Sequence, residues 1–245
     1  MLCRIAIRVD TAVLLPGLIL AMSAAAGRAQ DSESSDKWSY EIIPYVWGAG
    51  IDGREGLGHN TANVSASAKD LFEFVNVGGS LRLTGHGGRL GWYGEVSYVG
   101  LEDDTTSAAG AVRVKSSQTL AELGMSLDIV QALGLSAYAG IRYQDQNAVL
   151  EAVAQRQESD HSWVDALVGA KWELATQHLV GWVRADIGTG GSKFVWLGEI
   201  GGGLRFASRW SVYLSYRVLD TDYDRDNFLY NLRLNGLLLG FGAKF

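Results

Sequence analysis

Residues 119–129 read Thr119-Leu-Ala-Glu-Leu-Gly-Met-Ser-Leu-Asp-Ile129, and they alternate. Thr119, Ala121, Leu123, Met125, Leu127 and Ile129 share one parity, against Gln118, Glu122, Gly124, Ser126 and Asp128 on the other. A period of two places successive side chains on opposite faces, so the segment is a strand with one greasy and one polar face. The same split recurs around Leu135–Tyr143, Val164–Trp172, Leu179–Ile187, Phe194–Phe206 and Trp210–Val218. Helical spacing fits none of these, and the fold class is all-β.

These segments reach the ~9–11 residues that a tilted membrane strand needs, and their polar face is rich in charge and glycine. Trp92, Tyr98, Tyr143, Trp172, Trp196, Phe206, Trp210, Tyr216 and Tyr230 sit near segment ends, where a barrel carries its aromatic girdles. We therefore expect an antiparallel up-and-down transmembrane β-barrel. Ten strands are read near 38–51, 76–87, 89–103, 112–129, 133–148, 159–175, 178–190, 193–206, 209–222 and 227–245. Eight or twelve remain open, because Pro44 interrupts the first segment and the second is short.

Connections alternate in length. Tight ones fall at 85–89, 130–134, 173–178 and 207–209, and longer polar ones at 101–111, 146–160 and 220–227. Short turns belong to the periplasmic side of such barrels and long loops to the exterior. The first long loop, 52–76, contains Asp70-Leu-Phe-Glu-Phe-Val75, which reads as a short amphipathic helix, an ordinary capped helix on the surface loop, with covering one end of the barrel or folding inward as the alternative. At Asn235-Gly236 the apolar parity changes from Leu232 and Leu234 to Leu237 and Leu239, which predicts a bulge.

Composition agrees. Of 245 residues, 47% are apolar and 20% charged, too apolar for a disordered chain. Glycine appears 31 times and proline twice, without collagen or linker periodicity. The one cysteine, Cys3, excludes a disulfide framework and a CxxC zinc or redox site. A formal charge of −6 without a basic run disfavours nucleic acid. Arg4 and Arg8, the apolar stretch from Thr11 to Ala26 and the small residues up to Ala29 read as a cleaved export signal over residues 1–30, leaving 31–245 as one barrel domain. Export to a Gram-negative outer membrane is the localisation that follows.

The C-terminal alternation Leu237, Leu239, Phe241, Ala243, Phe245 resembles the signal read by the outer-membrane barrel-assembly machinery. Tyr45-Val-Trp47, Gly50-Ile-Asp-Gly53, Asp70-Leu-Phe-Glu-Phe74, Leu167-Val-Gly-Ala-Lys171 and the run Tyr216–Asp224 are similar to a family of small outer-membrane β-barrel proteins, broadly OmpA/OmpW-like. That resemblance covers residues 38–245. It implies a location and an architecture, with outer-membrane lipid, lipopolysaccharide and the assembly machinery as partners, Phe241 and Phe245 carrying the assembly signal, and it supplies no catalytic residues.

With the apolar parity facing lipid, the inward ionisable residues are Glu41, Glu95, Glu122, Asp165, Asp186 and Glu199 against Arg82, Arg142, Lys171, Arg184, Arg205, Arg217 and Arg233. An unpaired charge in a confined interior costs several kcal/mol, so these groups are expected to pair across the lumen. Near balance favours a constricted, cross-braced interior and a structural or interaction protein. The alternative is a narrow porin-like channel for small hydrophilic or ionic solutes, since opposed charges along a wet path set up a transverse field. A barrel enzyme and a soluble periplasmic β-protein rank below both. His59, His86, His161 and His178 fall in loops and turns without a serine and acid constellation, so no catalytic residue is assigned. Asp220-Thr-Asp222-Tyr-Asp224-Arg-Asp226 departs from a calcium loop at Arg225 and Asn231, and neither metal nor cofactor is expected. Glu102, Asp103 and Asp104 with this run would share divalent cations with lipopolysaccharide phosphates.

Overall fold

The computed structural model describes residues 37–57, 60–66, 79–107, 110–152, 155–206, 209–225 and 228–245. Eleven strands run in chain order: β1 Ser39–Leu57, β2 Asn60–Ala66, β3 Gly79–Gly87, β4 Leu90–Ser107, β5 Gly110–Val130, β6 Leu135–Ala152, β7 Gln155–Ala175, β8 Leu179–Gly190, β9 Phe194–Arg205, β10 Trp210–Arg225 and β11 Phe228–Lys244. All pairings are antiparallel, and β11 returns to β1, so ten strands close into an up-and-down barrel. β2 is the eleventh. It pairs with Ile51–Leu57 of β1, above the stretch of the same edge that β3 takes from Ser39 to Val46.

Following partners once round the ladder gives the tilt. Glu41 faces Thr84, then Tyr93, Gly124, Gly140, Leu167, Gly188, Val195, Thr221 and Leu232 in turn, and Leu232 faces Gly53, twelve residues along β1 from the start. A ten-strand circuit displaced by that much tilts its strands by about 40°. The seam is zipped to the last residue: Tyr40 and Phe245 exchange two backbone hydrogen bonds of 3.0 Å, and their rings stack at 6.1 Å.

Burial is inverted relative to a water-soluble protein. Arg142 and Arg217 are 0% exposed, whereas Met125 is 66% and Ile200 59% exposed. Burial of guanidinium groups beneath a surface of bare aliphatic chains is stable only where the surrounding solvent is itself apolar. Trp196 on β9 and Phe206 just past its end, both on the outer face, stand ten residues apart. At ~3.3 Å per residue and ~40° of tilt that is about 25 Å, the height of a membrane barrel's apolar band.

Above that band the polarity of both faces changes over. Trp163, Tyr223, Phe228, Tyr230 and Leu232 pack inward as a buried cluster, while Asp220, Asp222, Asp224 and Arg233 face out. The strands thus continue past the lipid into water with a small apolar core of their own.

Several expectations are corrected here. The stretches read as long loops at 101–111, 146–160 and 220–227 are mostly strand, because β4–β5, β6–β7 and β10–β11 keep pairing beyond the lipid as tall hairpins. β2 was not foreseen. No bulge occurs at Asn235-Gly236: β11 keeps one continuous register with both neighbours, and it is Leu232 and Leu234 that point inward. The apparent slip is the change from lipid to water outside the barrel. For the same reason Tyr230 is no girdle residue but 1% exposed inside. The helix read at Asp70–Val75 and the export signal lie outside the described residues. The tight connections at 85–89, 130–134 and 173–178 appear where expected, and that at 207–209 falls mostly outside the described residues; at the β5–β6 turn Gly134 adopts φ +66, the left-handed region that glycine enters without a steric penalty.

Candidate functional site

Cross-strand register sets the charged side chains in two rows. Arg82, Glu95, Glu122, Arg142 and Asp165 face one another on successive strands from β3 to β7, and Arg184, Glu199 and Arg217 do so from β8 to β10. The tilt brings both rows to about the same height, mid-way up the lipid-facing band. Eight of the expected residues close into one plate across the lumen: Arg82, Glu95, Glu122, Arg142, Arg184, Asp186, Glu199 and Arg217.

Glu199 is its hub. Its Oε2 accepts from Arg217 Nε at 3.0 Å and Nη2 at 2.9 Å, from Arg184 Nε at 3.0 Å and from Arg82 Nη2 at 3.3 Å. Glu95 accepts from Arg82 Nε at 2.6 Å and from Arg217 Nη1 at 2.5 Å. The Tyr45 hydroxyl donates to the same Glu95 carboxylate at 2.5 Å and sits 2.9 Å from Ser97 Oγ. On the other side Arg142 donates to Glu122 at 2.8 Å and to Asp186 at 2.9 Å, and Tyr138 Oη donates to Asp186 at 2.9 Å. Arg184 joins the groups, 3.7 Å from Glu95 and 4.0 Å from Glu122. Glu95 and Glu122 stand directly opposite, an arrangement that repels unless cations flank it. Arg82 and Arg142 supply them. Charge-assisted bonds of this kind are the stronger class, and the four guanidiniums balance the four carboxylates.

The remaining expected residues serve elsewhere. Asp165 is 0% exposed, yet its carboxylate accepts the Ser192 backbone N–H at 2.8 Å and pins the β8–β9 turn. Glu41 accepts from Tyr213 Oη at 2.6 Å, Lys171 pairs with Glu173 at 2.5 Å, and Arg205 donates to the Thr176 carbonyl at 3.3 Å, all toward the short-turn end. Arg233 is a correction: its side chain is on the outer face, paired with Asp220 at 2.7 Å and lying 5.9 Å over the Trp196 ring. The slip read at Asn235 put it inside.

Tyr45, Tyr138 and Ser97 were missed as members of the plate, although their inward parity was a usable signal. Also missed was the layer above it. Leu120, Val195, Leu197, Leu219 and Leu234 pack with Tyr45 and Trp47 into a buried apolar cluster, Leu197 and Val195 at 0% exposure. Further up, Trp163 stacks on Tyr223 at 4.3 Å, bridging β7 and β10 over the shorter β8–β9 hairpin, and His161 stacks on Phe228 at 4.0 Å. Below the plate the lumen opens as a vestibule of about 570 Å³ that ends on Tyr45, Arg82, Arg184 and Glu199. The interior thus reads, from the short turns upward, as cavity, charged plate and apolar plug.

No family model matches the chain, and no curated protein sequence matches it. Its fold is similar to solved barrels at low identity. Ail, the attachment invasion locus protein of Yersinia pestis, is 12% identical with a TM-score of 0.41, over 86% of this chain and 100% of that one. The translocator domain of the autotransporter NalP from Neisseria meningitidis is 13% identical at 0.46, over 88% and 90%. The outer membrane protease OmpT from Escherichia coli is 8% identical at 0.49, over 88% and 98%. The closed ladder and inverted burial establish the barrel without them.

Proposed function

We propose that this chain works in the Gram-negative outer membrane as a barrel with a closed lumen, a structural or interaction protein that holds its tall hairpins outside the cell and its short turns in the periplasm. The single observation that carries the reading is the two-layer seal. Four arginines and four carboxylates pair across the lumen at mid-height, and a buried layer of leucine and valine, with Gln144 and Thr221 among it, lies directly above them. An ion crossing the plate would have to displace charge-assisted bonds, and one crossing the leucine layer would exchange much of its hydration for apolar contacts.

The partners that fit are lipid against the apolar band and lipopolysaccharide around the polar collar. Phe241 and Phe245 face outward at the end of β11, accessible to assembly machinery during insertion. In the collar, Asp220 is engaged by Arg233 and Asp224 by Lys193 at 2.6 Å, which among the described residues leaves Asp222 as the carboxylate of that run best placed to share cations with lipopolysaccharide; Asp226 and the side chains of Glu102, Asp103 and Asp104 lie outside the described residues. The reading is non-catalytic, with His161 used in ring packing and His86 3.7 Å from Asp128 at the vestibule mouth.

Planar-bilayer recording of the purified, folded barrel tests this. We expect a silent membrane. Unitary current steps with ion selectivity would replace the reading by that of a narrow channel, the alternative favoured by the vestibule, which already opens half of the lumen to water.

A further inference from the structure

The vestibule is more than the lower end of a blocked tube. Its carboxylates are engaged: Glu41 by the neutral Tyr213 hydroxyl, Glu173 by Lys171, Glu199 by three arginines, and Asp128 beside His86. Its cations are less so. Arg209 and Lys244 line the mouth with no carboxylate partner among the described residues, and Arg205 donates to a backbone carbonyl while lying within electrostatic reach of Glu173. Lys244 stands directly opposite Glu41 on the neighbouring strand, but the Glu41 carboxylate turns away to the Tyr213 hydroxyl. Outside the plate the concavity carries four cations, Lys171, Arg205, Arg209 and Lys244, against three carboxylates, Glu41, Asp128 and Glu173, so its excess charge is positive, and low-dielectric walls concentrate its field on the opening.

Deeper in, the walls are aromatic. Trp182 meets Tyr213 edge-on at 5.8 Å and Tyr93 meets Tyr138 edge-on at 5.7 Å, below the Arg82 and Arg184 ceiling. About 570 Å³ lies within the ~300–1,000 Å³ range of small-molecule pockets. Apolar ring faces, a few polar groups and uncompensated cations at the mouth make up the chemistry of a site for a compact, negatively charged molecule.

We propose that the vestibule binds a small organic anion, a single carboxylate or phosphate on a body of sugar or single-ring size, entering from the short-turn side. Arg205, Arg209 and Lys244 draw it in, and the Trp182–Tyr213 wall holds its body. The mouth is ringed by strand ends, so the ligand is a dissolved solute rather than a lipid headgroup.

Ligand-observed NMR on the folded barrel in zwitterionic micelles provides the test. The probes are D-glucuronate, glycerol 3-phosphate and benzoate, each against its neutral counterpart D-glucose, glycerol or benzyl alcohol. At least one anion should bind where its counterpart does not, and binding should weaken as salt is raised. The triple variant Arg205→Gln, Arg209→Gln, Lys244→Gln should lose about tenfold in affinity, from three partly screened charges. These side chains lie outside the plate, and heat-modifiable gel migration confirms that the variant is folded; Arg209→Gln alone serves if it is not. The proposal is overturned if no anion binds better than its counterpart, or if the folded variant binds as the parent does. Displacement of the bound anion by phosphatidylglycerol in the micelle would overturn the assignment to a dissolved solute. Binding is read in micelles and conductance across a bilayer, so a conducting barrel and a barrel that binds no anion are separate failures.

Discussion

Replacing Arg217 by methionine tests the plate most directly. Arg217 is 0% exposed and donates to Glu199 through Nε and Nη2 and to Glu95 through Nη1. It also lies 5.3 Å over the Trp47 ring and 5.7 Å over Tyr45. Methionine fills much of the same volume without the charge. Glu95 keeps Arg82, and Glu199 keeps Arg82 and Arg184, but the plate then holds four carboxylates against three guanidiniums. Removing one partner from a buried ion pair costs about 3–5 kcal/mol, most of it the penalty on the charge left behind. If that is the origin of the loss, Glu95→Gln added to Arg217→Met restores the balance, and the double variant should cost less than the sum of the single ones by about 1–3 kcal/mol. Urea unfolding in lipid vesicles, followed by tryptophan fluorescence and checked for reversibility, gives all four corners of the cycle. A loss below about 1 kcal/mol for Arg217→Met, or strict additivity in the double variant, would refute the argument that the plate is held by mutual neutralisation. The same single variant should stay silent in a bilayer, because the Leu197, Leu219 and Leu234 layer above it is untouched.

Two further outcomes follow from positions outside the lipid. Burial raises the Glu55 carboxyl above its ordinary 4.5, on the part of β1 that pairs with Tyr230 above the aromatic band. A raised carboxyl favours the protonated fold, so its ionisation costs stability that is absent below pH 4.5 and grows as pH rises through the folded-state value. Glu55→Gln should therefore melt higher than the parent at pH 7, with the gap closing toward acid; a gap that widens on acidification would contradict this. At the β5–β6 turn, a Cβ on Gly134 would press on the Glu173 carbonyl oxygen while the backbone holds φ +66. Gly134→Ala should cost roughly 1–3 kcal/mol in the same unfolding assay, and a neutral result would mean that the turn can relax.

How far the chain announces its fold can be followed at individual residues. The 119–129 alternation identified a lipid-facing strand, and the parity rule then sent Glu95, Glu122, Arg142, Arg184 and Arg217 inward, where the structure has them. The rule failed at Arg233 and Tyr230, which lie beyond the apolar band. There the solvent outside changes from lipid to water, and an apolar side chain turns from an outward to an inward residue without any change in the backbone. Parity alone carries no record of where that boundary falls.

Local alternation was enough to determine an all-β barrel with a charged interior, because side-chain direction along a strand repeats every two residues and needs no distant partner. Only the closed ladder decided what the interior amounts to. Whether Arg217 meets Glu95 or Glu122, and whether Leu120 lines a pore or plugs it, depends on the stagger between strands far apart in the chain, and that stagger is set when β11 joins β1 and fixes the height of every inward side chain.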